Sequence, residues 1–555
     1  MTRVDAVAGD YVERAAALDP CLATRAGIAG HDDQLPDLSY DGFARRAGLA
    51  RSTLAALAAA EAREPREHVA RAAMRERLAL ELECYDAGDT TSQLNVIASW
   101  VRYVRQVFDL MPTDGEQAAV NIARRMAAVP TAYAQLSKTL LGAAHGGRPP
   151  ARRQVEEVAK QCAAWSEPGS SFYSGLVGRI SGVPGSLRGD LEVAAEQATA
   201  ATAGFAVFLT SELLPVARHK DACGPEVYSR ALGFFLGAAI DPEAAYAAAW
   251  EDIERLRAEQ VEVSNQVQRG ATARETAAIL DRDPARRIEG QENFLAWMQE
   301  LADRTISELH GVHFDIPEQA RRIEAVIAPI NDGGIYYADP SEDWSRPGRI
   351  WWPVPQGLTS FATWKEVTNI YHEGAPGHHL QISRQKAERE NLNRWQRELC
   401  WVDGHGEGWA CYAEQLMKEL GYLEDPGVHL GMLDRQVLYA AILVLDIGLH
   451  LELQIPESAS WMPGRGERWN ADLALDFLQD HSRLDKERLR FAVHRSLGWP
   501  GQAPSYALGR DIWLRARAEA MERTGGAFTL KEFHSKALSL GPMGLDPLRE
   551  ALVRL

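Results

Sequence analysis

Apolar residues recur at intervals of three and four along most of this chain, which is the spacing of one face of an α-helix. The pattern is clear over residues 41–86, where the strong helix formers Ala, Leu, Glu and Arg dominate. It returns in many later segments, among them 359–373 and 379–397, and Gly- and Pro-containing breakers such as 182–185 and 425–427 separate them. The sequence therefore predicts a mainly α protein.

One region departs from the helical spacing, between about residues 320 and 355. It begins with alternation of apolar residues over 323–327 and continues with the β-branched and aromatic segments 333–337 and 349–352. Such segments, bounded by Gly, Asp and Pro, predict two or three short strands. A small sheet so close to the histidines described below is suited to hold an extended peptide along an edge strand.

The chain has 555 residues, more than one simple core usually fills. We expect a single large helical catalytic unit over residues 1–555, which includes the 320–355 sheet. An arrangement of this unit as two lobes around a cleft is an alternative. Lys and Arg number 60 against 77 Asp and Glu, a formal net charge of −17. This balance argues against a nucleic acid or an anionic membrane as a partner. A homodimer remains open.

The location of the protein is predicted from three features of the sequence. Six cysteines are scattered without the close spacing of a metal or redox motif, as expected for thiols in a reducing compartment. The N-terminal residues lack a basic start followed by an apolar stretch. No unbroken run reaches the roughly 18 apolar residues of a membrane span. We therefore expect a cytoplasmic protein.

Histidines concentrate between residues 372 and 405, where His372, His378, His379 and His405 occur among the 15 of the chain. Histidine is a common zinc ligand, and a glutamate that follows a ligand histidine, as Glu373 does here, is the usual general base of helical zinc peptidases. The cluster predicts a divalent-metal site, with zinc as the first choice and other divalent metals open.

The spacing of these histidines differs from the familiar H-E-x-x-H. On a regular helix His378 is about 600° round from His372, and His379 lies roughly 10 Å further along the axis, so neither shares a metal with His372 unless the helix deforms. Pro376 cannot bond the carbonyl of His372, and Gly377 permits unusual backbone angles. We predict a two-residue bulge that makes His378 the second ligand, with His379 as the alternative.

A third ligand is expected from the segment that follows. Glu407 and Glu414 are seven residues apart and share one face of a predicted helix. A carboxylate from a second helix completes a two-His, one-Glu shell and leaves a position open for water. We favour Glu407 because flanking glycines allow backbone or substrate to approach, and we assign Glu414 to a supporting position or to the surface.

Further candidate residues lie downstream. Asp446 and His450 are four apart on an apolar helix, so they form a buried pair, support a ligand, or satisfy each other without a catalytic role. Arg495 is a candidate clamp for a substrate carboxylate. Tyr506, or His450, is the candidate donor to the oxyanion formed during hydrolysis.

Four motifs occur in order: H-E-G-x-P-G-H-H from His372, E-G-W-A-x-Y-A-E from Glu407, D-x-G-x-H from Asp446 and P-G-Q-A-x-x-Y from Pro500. Together they resemble the bacterial family catalogued as domain of unknown function 885, with weaker similarity around residues 124–130. The resemblance implies a large helical fold like that of Taq-type carboxypeptidases and related zinc metallopeptidases. It also implies ligands His372, His378 and Glu407, the base Glu373, and Asp446, His450, Arg495 and Tyr506 around them.

The expected function is metal-assisted hydrolysis of a peptide or small amide, of carboxypeptidase-like type, in which Glu373 takes the proton of the attacking water. An amidase or deacylase of small metabolites is one alternative. A non-catalytic protein that binds a metal or ligand is another. Glu373 argues against the latter, since a structural zinc site needs four protein ligands and no base.

Overall fold

The structure is a computed structural model that describes residues 2–328, 334–355, 357–459, 461–462 and 464–554. It is 68% helical and 5% strand, which confirms the predicted mainly α class with little sheet. The chain divides into two compact units, neither of which is one continuous stretch of sequence. The first comprises Met1–Arg63, Leu78–Cys223 and Leu497–Trp499, and the second comprises Glu64–Arg77, Gly224–Ser496 and Pro500–Leu555.

The first unit is helical, and some of its helices begin at residues whose side chains cap the helix start. Asp19, for example, accepts a hydrogen bond from the backbone N–H of Leu22 and is followed by Pro20 at the first helical position. Its core includes Tyr133 and Phe205, whose rings stack at 4.9 Å between α7 and α10. The helices up to this point, of which α4 is shared with the second unit, are α1 (Arg3–Leu18), α2 (Pro20–Ala26), α3 (Tyr40–Ala59), α4 (Pro65–Asp86), α5 (Asp89–Ser92), α6 (Trp100–Gln106), α7 (Glu116–His145), α8 (Arg152–Trp165), α9 (Phe172–Arg179) and α10 (Gly185–Phe208).

The second unit carries all the predicted site residues. Long helices form its frame, with α12 packed along α19 and α18 packed along α22. Its helices are α11 (Pro225–Leu236), α12 (Pro242–Val267), α13 (Ala273–Arg282), α14 (Gln291–Leu309), α15 (Val367–Glu373), α16 (His378–Ala387), α17 (Arg394–Glu398), α18 (Asp403–Glu419), α19 (Pro426–His450), α20 (Ala471–His481), α21 (Lys486–Gly498, mostly in this unit), α22 (Pro504–Thr524), α23 (Leu530–Ser539) and α24 (Leu545–Val553).

The glycines near Glu407 let other parts of the protein approach α18. A Cβ on Gly408 would lie 2.5 Å from the Cα of Gly509, so α18 and α22 cross at a pair of glycines. A Cβ on Gly404 would lie 2.8 Å from Leu545, and one on Gly406 would meet an indole ring at 2.2 Å. The sequence analysis expected these glycines to let backbone or substrate approach. The atoms that approach them are those of neighbouring residues of the protein.

The second unit also contains two small sheets. In the first, β1 (Arg287–Glu289) pairs antiparallel with β5 (Ser360–Ala362), and Ile288 lies opposite Phe361. In the second, the order is β2-β4-β3: β4 (Gly348–Trp352) runs parallel to β2 (Ile323–Ile327) and antiparallel to β3 (Tyr336–Ala338). The second sheet is the one predicted over 320–355, although residues 329–333 of that region lie outside the described part. The β1–β5 sheet was not predicted.

The helix predicted over residues 359–373 is correct only in its last part. Residues 360–362 form β5, and the ring of Phe361 stacks on Phe294 with centroids 4.2 Å apart and planes 4° from parallel. The side chain of Ser360 accepts a hydrogen bond from Arg287 on the paired strand, so it does not cap a helix. Strand pairing and aromatic packing with residues about 70 positions earlier override the local helical spacing.

The segment predicted as one helix over 379–397 is divided as well. α16 ends at Ala387, and α17 begins after Asn393, whose side chain caps it by accepting from the N–H of Gln396. Asn is among the preferred residues at a helix start, which explains the new helix.

Among the residues that the structure describes, two helical segments are long and apolar enough, by length and composition alone, to cross a membrane. They are Gly185–Val216 and Pro426–His450, with 28% and 67% of the most apolar stretch buried, respectively. The second is α19, which packs within its unit. Core helices of soluble proteins meet the same criterion.

Candidate metal centre

The two ligand histidines are brought together by a break between two helices. α15 ends at Glu373 and α16 begins at His378, so four residues separate them instead of the predicted two-residue bulge within one helix. The N–H of Gly377 donates to the carbonyl of Tyr371 at 3.0 Å. A Cβ on Gly377 would lie 1.9 Å from the carbonyl oxygen of His372. Only glycine can therefore take this position, and the chain reverses closely enough to place His378 beside His372.

Three potential ligand atoms face one another at this break. Glu407 Oε2 lies 3.4 Å from His372 Nε2 and 3.3 Å from His378 Nε2. The two imidazole rings are 4.8 Å apart and nearly perpendicular, at 88°. All three atoms lie within 4.8 Å of one another, and both histidines are buried. The structure thus brings together the three residues predicted as metal ligands.

The geometry of these atoms fits a divalent cation. At metal–ligand distances of about 2.0–2.2 Å, two ligand atoms of a tetrahedral zinc ion are roughly 3.4 Å apart. Glu407 Oε2 is buried and makes no hydrogen bond within the described part of the chain, despite the two nearby nitrogens. A buried carboxylate oxygen without a hydrogen bond is rare, and a cation held between the three atoms would satisfy it.

The charges of Glu407, His372 and His378 influence one another. Burial alone would raise the pKa of Glu407, but the adjacent imidazoles of His372 and His378 hold this pKa well below its ordinary value. Burial lowers the pKa of His372, and its contacts with Cys411, Glu407 and Glu414 outweigh burial, so the pKa of His372 lies well above its ordinary value. The pocket therefore attracts positive charge.

Glu414 supports His372 from the other side of its ring. Glu414 Oε1 lies 2.7 Å from His372 Nδ1 and also accepts from the hydroxyl of Tyr439 at 3.0 Å. Gln436 donates to Oε2 at 3.0 Å, and Arg435 Nε donates to Oε1 at 3.3 Å. The carboxylate is fully buried, and Arg435 and His372 keep its pKa below the ordinary value although burial raises it. This is the supporting position predicted for Glu414.

Cys411, one turn before Glu414, contributes to a second group of potential ligand atoms with His372 and Glu414, again within 4.8 Å. This group shares His372 with the first, and both oxygens of Glu414 already accept hydrogen bonds. Burial raises the pKa of the Cys411 thiol to about 11. We assign this group to the support of His372.

Glu373 follows His372 directly and is 6% exposed. Burial raises the pKa of its carboxyl, although the positive charges of His372 and His378 oppose this. The charges of His372, His378 and Glu407 all act on this carboxyl, so Glu373 belongs to the same group of ionisable residues.

Tyr506, in the first turn of α22, lies against the same histidine. Its ring stacks on Tyr439 at 4.9 Å with planes 6° apart, and is 6.5 Å from the ring of His372. Its hydroxyl accepts from Arg495 Nη2 at 2.9 Å and donates to no described residue. Burial raises the pKa of Tyr506 to about 12, against the opposing effect of Arg495. The phenol therefore keeps a proton that it can donate.

Two residues that the sequence analysis did not assign hold Arg495 in place. Gln502 Oε1 accepts from Arg495 Nη2 at 2.7 Å, and Gln502 Nε2 donates to Asp403 Oδ1 at 3.0 Å. Asp403 is half-buried at the start of α18, and the burial of its carboxyl raises its pKa to about 6. Gln502 belongs to a motif noted in the sequence, so its position could have indicated a role, whereas nothing local marks Asp403.

Asp446 and His450 support the chain around α22. Asp446 Oδ2 accepts from the hydroxyl of Tyr228 and from the N–H of Gly501, both at 2.8 Å. His450 Nε2 donates to the carbonyl of Ser496 at 2.8 Å, and its ring stacks on Tyr228 at 5.7 Å. We therefore assign both side chains to holding this part of the chain, and not to the oxyanion as predicted for His450.

His379, the alternative second ligand, is turned away from Glu407. Its Nε2 donates to the carbonyl of Ala320 at 2.8 Å, and its Nδ1 accepts from the hydroxyl of Tyr337 at 2.9 Å. Burial lowers its pKa to about 4, so the ring is neutral. Because both nitrogens are engaged, the geometry does not support His379 as a ligand. It joins α16 to strand β3.

Comparison with known proteins identifies the family of the chain. A family model described as "Bacterial protein of unknown function (DUF885)" matches residues 20–552. No curated protein matches the chain. A crystal structure of a putative lipoprotein from Colwellia psychrerythraea has a TM-score of 0.85 at 20% identity, covering 100% of this chain and 99% of that one. A putative lipoprotein of unknown function from Shewanella oneidensis has a TM-score of 0.72 at 16% identity, covering 99% of each chain. Both share the fold.

These descriptions correct one expectation. A cytoplasmic location was predicted from the scattered cysteines and from the N-terminal composition. The two solved structures named above are described as putative lipoproteins, which contradicts that prediction. Cysteine spacing and overall composition describe a folded domain and carry little information on its location.

Proposed function

The chain belongs to DUF885, a family of bacterial proteins of unknown function, and we propose that it is a metal-dependent hydrolase of peptide or amide bonds, with zinc as the metal. One observation carries the proposal. Glu407 Oε2 lies within 3.4 Å of the Nε2 atoms of both His372 and His378, without a hydrogen bond and with Glu373 next in sequence to the first histidine.

The ligand set supports a catalytic site over a structural one. Three protein ligands leave a fourth position open for water or substrate, whereas structural zinc sites use four protein ligands. When bound, the cation supplies Lewis acidity that polarises a carbonyl group and makes a water molecule more acidic.

The residues around the ligands provide the remaining steps of hydrolysis. Glu373 takes the proton of the attacking water and returns it to the leaving amine. Tyr506 donates its hydroxyl proton in a hydrogen bond to the carbonyl oxygen as negative charge develops there. Arg495 holds the hydroxyl of Tyr506 in position and adds positive charge. Glu414 fixes the ring of His372.

We also propose a carboxypeptidase-like enzyme related to Taq-type carboxypeptidases and other helical zinc metallopeptidases. The proposal is supported by a two-His, one-Glu set carried on helices of a mainly α unit. The β2-β4-β3 sheet adds support. The hydroxyl of Tyr337, on the edge strand β3, makes a hydrogen bond with His379, which follows the proposed ligand His378 at the start of α16. An edge strand there is suited to an extended peptide.

We base the proposed location of this protein on the two structurally similar proteins. Both are described as putative lipoproteins, which favours a membrane-associated position outside the cytoplasm for this chain also. Peptides met there would be the substrates.

The proposal is tested by the Glu373→Gln variant. Zinc-loaded wild type and variant are compared on a panel of dipeptides, tripeptides and N-acyl amino acids, with metal content measured on the same samples. We expect the variant to retain zinc and to lose at least about 100-fold in rate, because the base is absent. Glu308→Gln, at an exposed position of α14, is the matched control and keeps full rate. Equal turnover by wild type and Glu373→Gln would contradict the mechanism.

A further inference from the structure

Trp401 differs from every other tryptophan of the protein. All 15 lie in the described part of the chain, and Trp401 alone is exposed, at 42%. Single exposed apolar residues are common on protein surfaces and need no explanation by themselves. The position of Trp401 does need an explanation, because its ring contacts the candidate ligand His378 and covers Gly406, the residue before the candidate ligand Glu407.

The indole ring is held between a ligand histidine and the backbone of α18. Its centroid is 5.7 Å from that of the His378 ring, at an interplanar angle of 59°. It also covers Gly406, where a Cβ would lie 2.2 Å from the indole Cη2. Gly406 precedes the ligand Glu407. Trp401 thus packs against His378 and Gly406 and still exposes 42% of its surface, next to the candidate metal site.

We propose that Trp401 determines specificity by binding an aromatic side chain of the substrate next to the bond that is hydrolysed. The proposal rests on the proposed function and adds the substrate class: peptides or acyl amines with an aromatic group at that position. An aromatic ring placed against the exposed part of the indole leaves water and gains the favourable geometry of aromatic pairs.

The exposed part of the indole is apolar and favours an aromatic occupant. A lysine or arginine side chain of the substrate, which can also stack on an indole, is the competing occupant that the experiment below distinguishes. An acidic side chain would lose its hydration on the apolar ring.

Binding of hydroxamates to the zinc-loaded protein, measured by calorimetry, tests this without turnover. Acetohydroxamate reports the metal alone, and the hydroxamates of phenylalanine, alanine and lysine report the side chain. We expect wild type to bind the phenylalanine compound about tenfold or more tightly than the alanine compound. Trp401→Ala should abolish this preference and reduce the affinity for the phenylalanine compound far more than that for acetohydroxamate, whereas Trp401→Phe should keep most of the preference. Met521→Ala, at another exposed apolar residue, is the control.

The possible outcomes separate this proposal from the function on which it rests. Failure of wild type to bind acetohydroxamate would overturn both. Binding of acetohydroxamate together with equal affinities for the phenylalanine and alanine compounds would leave the metal site standing and overturn the role of Trp401. Retention of the preference in Trp401→Ala, or tightest binding of the lysine compound, would also overturn it.

Discussion

Glu414 Oε1 lies 2.7 Å from His372 Nδ1, on the side of the imidazole opposite the nitrogen that faces Glu407. A carboxylate in this position accepts a hydrogen bond from the N–H of Nδ1. The proton therefore stays on Nδ1, and the lone pair of Nε2 is free to bind a metal. The same carboxylate accepts hydrogen bonds from Arg435, Gln436 and Tyr439. These bonds hold Glu414 in place, and Glu414 in turn fixes the orientation of the His372 ring.

We predict that Glu414→Gln weakens zinc binding by about tenfold to 100-fold, since the amide carries no charge to support the ligand histidine. Competition with a chromophoric chelator measures the affinity. Glu419→Gln, on the same helix but paired with Arg517, is the matched control and keeps the wild-type affinity. A Glu414→Gln protein that binds zinc as tightly as wild type would show that the contact is not a supporting one.

The stacked tyrosines Tyr439 and Tyr506 should respond differently to loss of their hydroxyls. The Tyr506 hydroxyl donates to no described residue, so Tyr506→Phe should lower the rate by about 100-fold to 1,000-fold and leave zinc affinity unchanged. The Tyr439 hydroxyl donates to Glu414, so Tyr439→Phe should mainly weaken zinc binding. Turnover numbers and zinc affinities of both variants provide the comparison. A normal rate in Tyr506→Phe would exclude its role at the oxyanion.

Gly377→Ala should destabilise the fold by about 3 kcal/mol, because the new methyl group would overlap the carbonyl of His372, 1.9 Å away. Unfolding in urea measures the loss. Gly233→Ala, at a helical glycine with no neighbouring atom within 4 Å, is the control and should change stability by no more than about 1 kcal/mol in the stabilising direction. Equal stabilities of the two variants would contradict the close turn between α15 and α16.

Asp446 should make stability depend on pH. Burial raises its pKa to about 7, against the hydrogen bonds from Tyr228 and Gly501 and the charge of Arg495. The folded protein therefore holds a proton that the unfolded chain releases near pH 4, so this contribution is present at low pH and is lost as pH rises towards 7. Asp446→Asn should remove a slope of up to about 1.4 kcal/mol per pH unit in the free energy of unfolding between pH 5 and 7. Parallel curves for the two proteins would count against a raised pKa.

The sequence predicts which three side chains come together because their chemistry is local. His372, His378 and Glu407 are residue types that bind zinc, and a proline and a glycine between the histidines indicate that a regular helix cannot continue. The form of the break could not be predicted, since it depends on hydrogen bonds of Gly377 with a preceding turn. Whether His378 or His379 is the ligand depended on contacts of His379 with Ala320 and Tyr337, far away in sequence.

The residues that support the ligands were missed for the same reason. Arg435 and Tyr439 reach Glu414 only because α19 packs beside α18, and Gln502 joins Asp403 to Arg495. Similarly, the helical spacing over 359–373 is genuine, but pairing of β5 with β1 determines the structure of its first residues. Long-range packing therefore decides what local spacing leaves open.

The metal content of the protein tests the central claim most directly. Wild type is purified without added metal, analysed by inductively coupled plasma mass spectrometry, then reconstituted with zinc, dialysed and analysed again, alongside His378→Ala and the control His145→Ala at an exposed position. We predict about one zinc per chain in reconstituted wild type and in His145→Ala, and a small fraction of that in His378→Ala. Wild type that holds no stoichiometric metal before or after reconstitution, or His378→Ala that holds as much as wild type, would contradict the account.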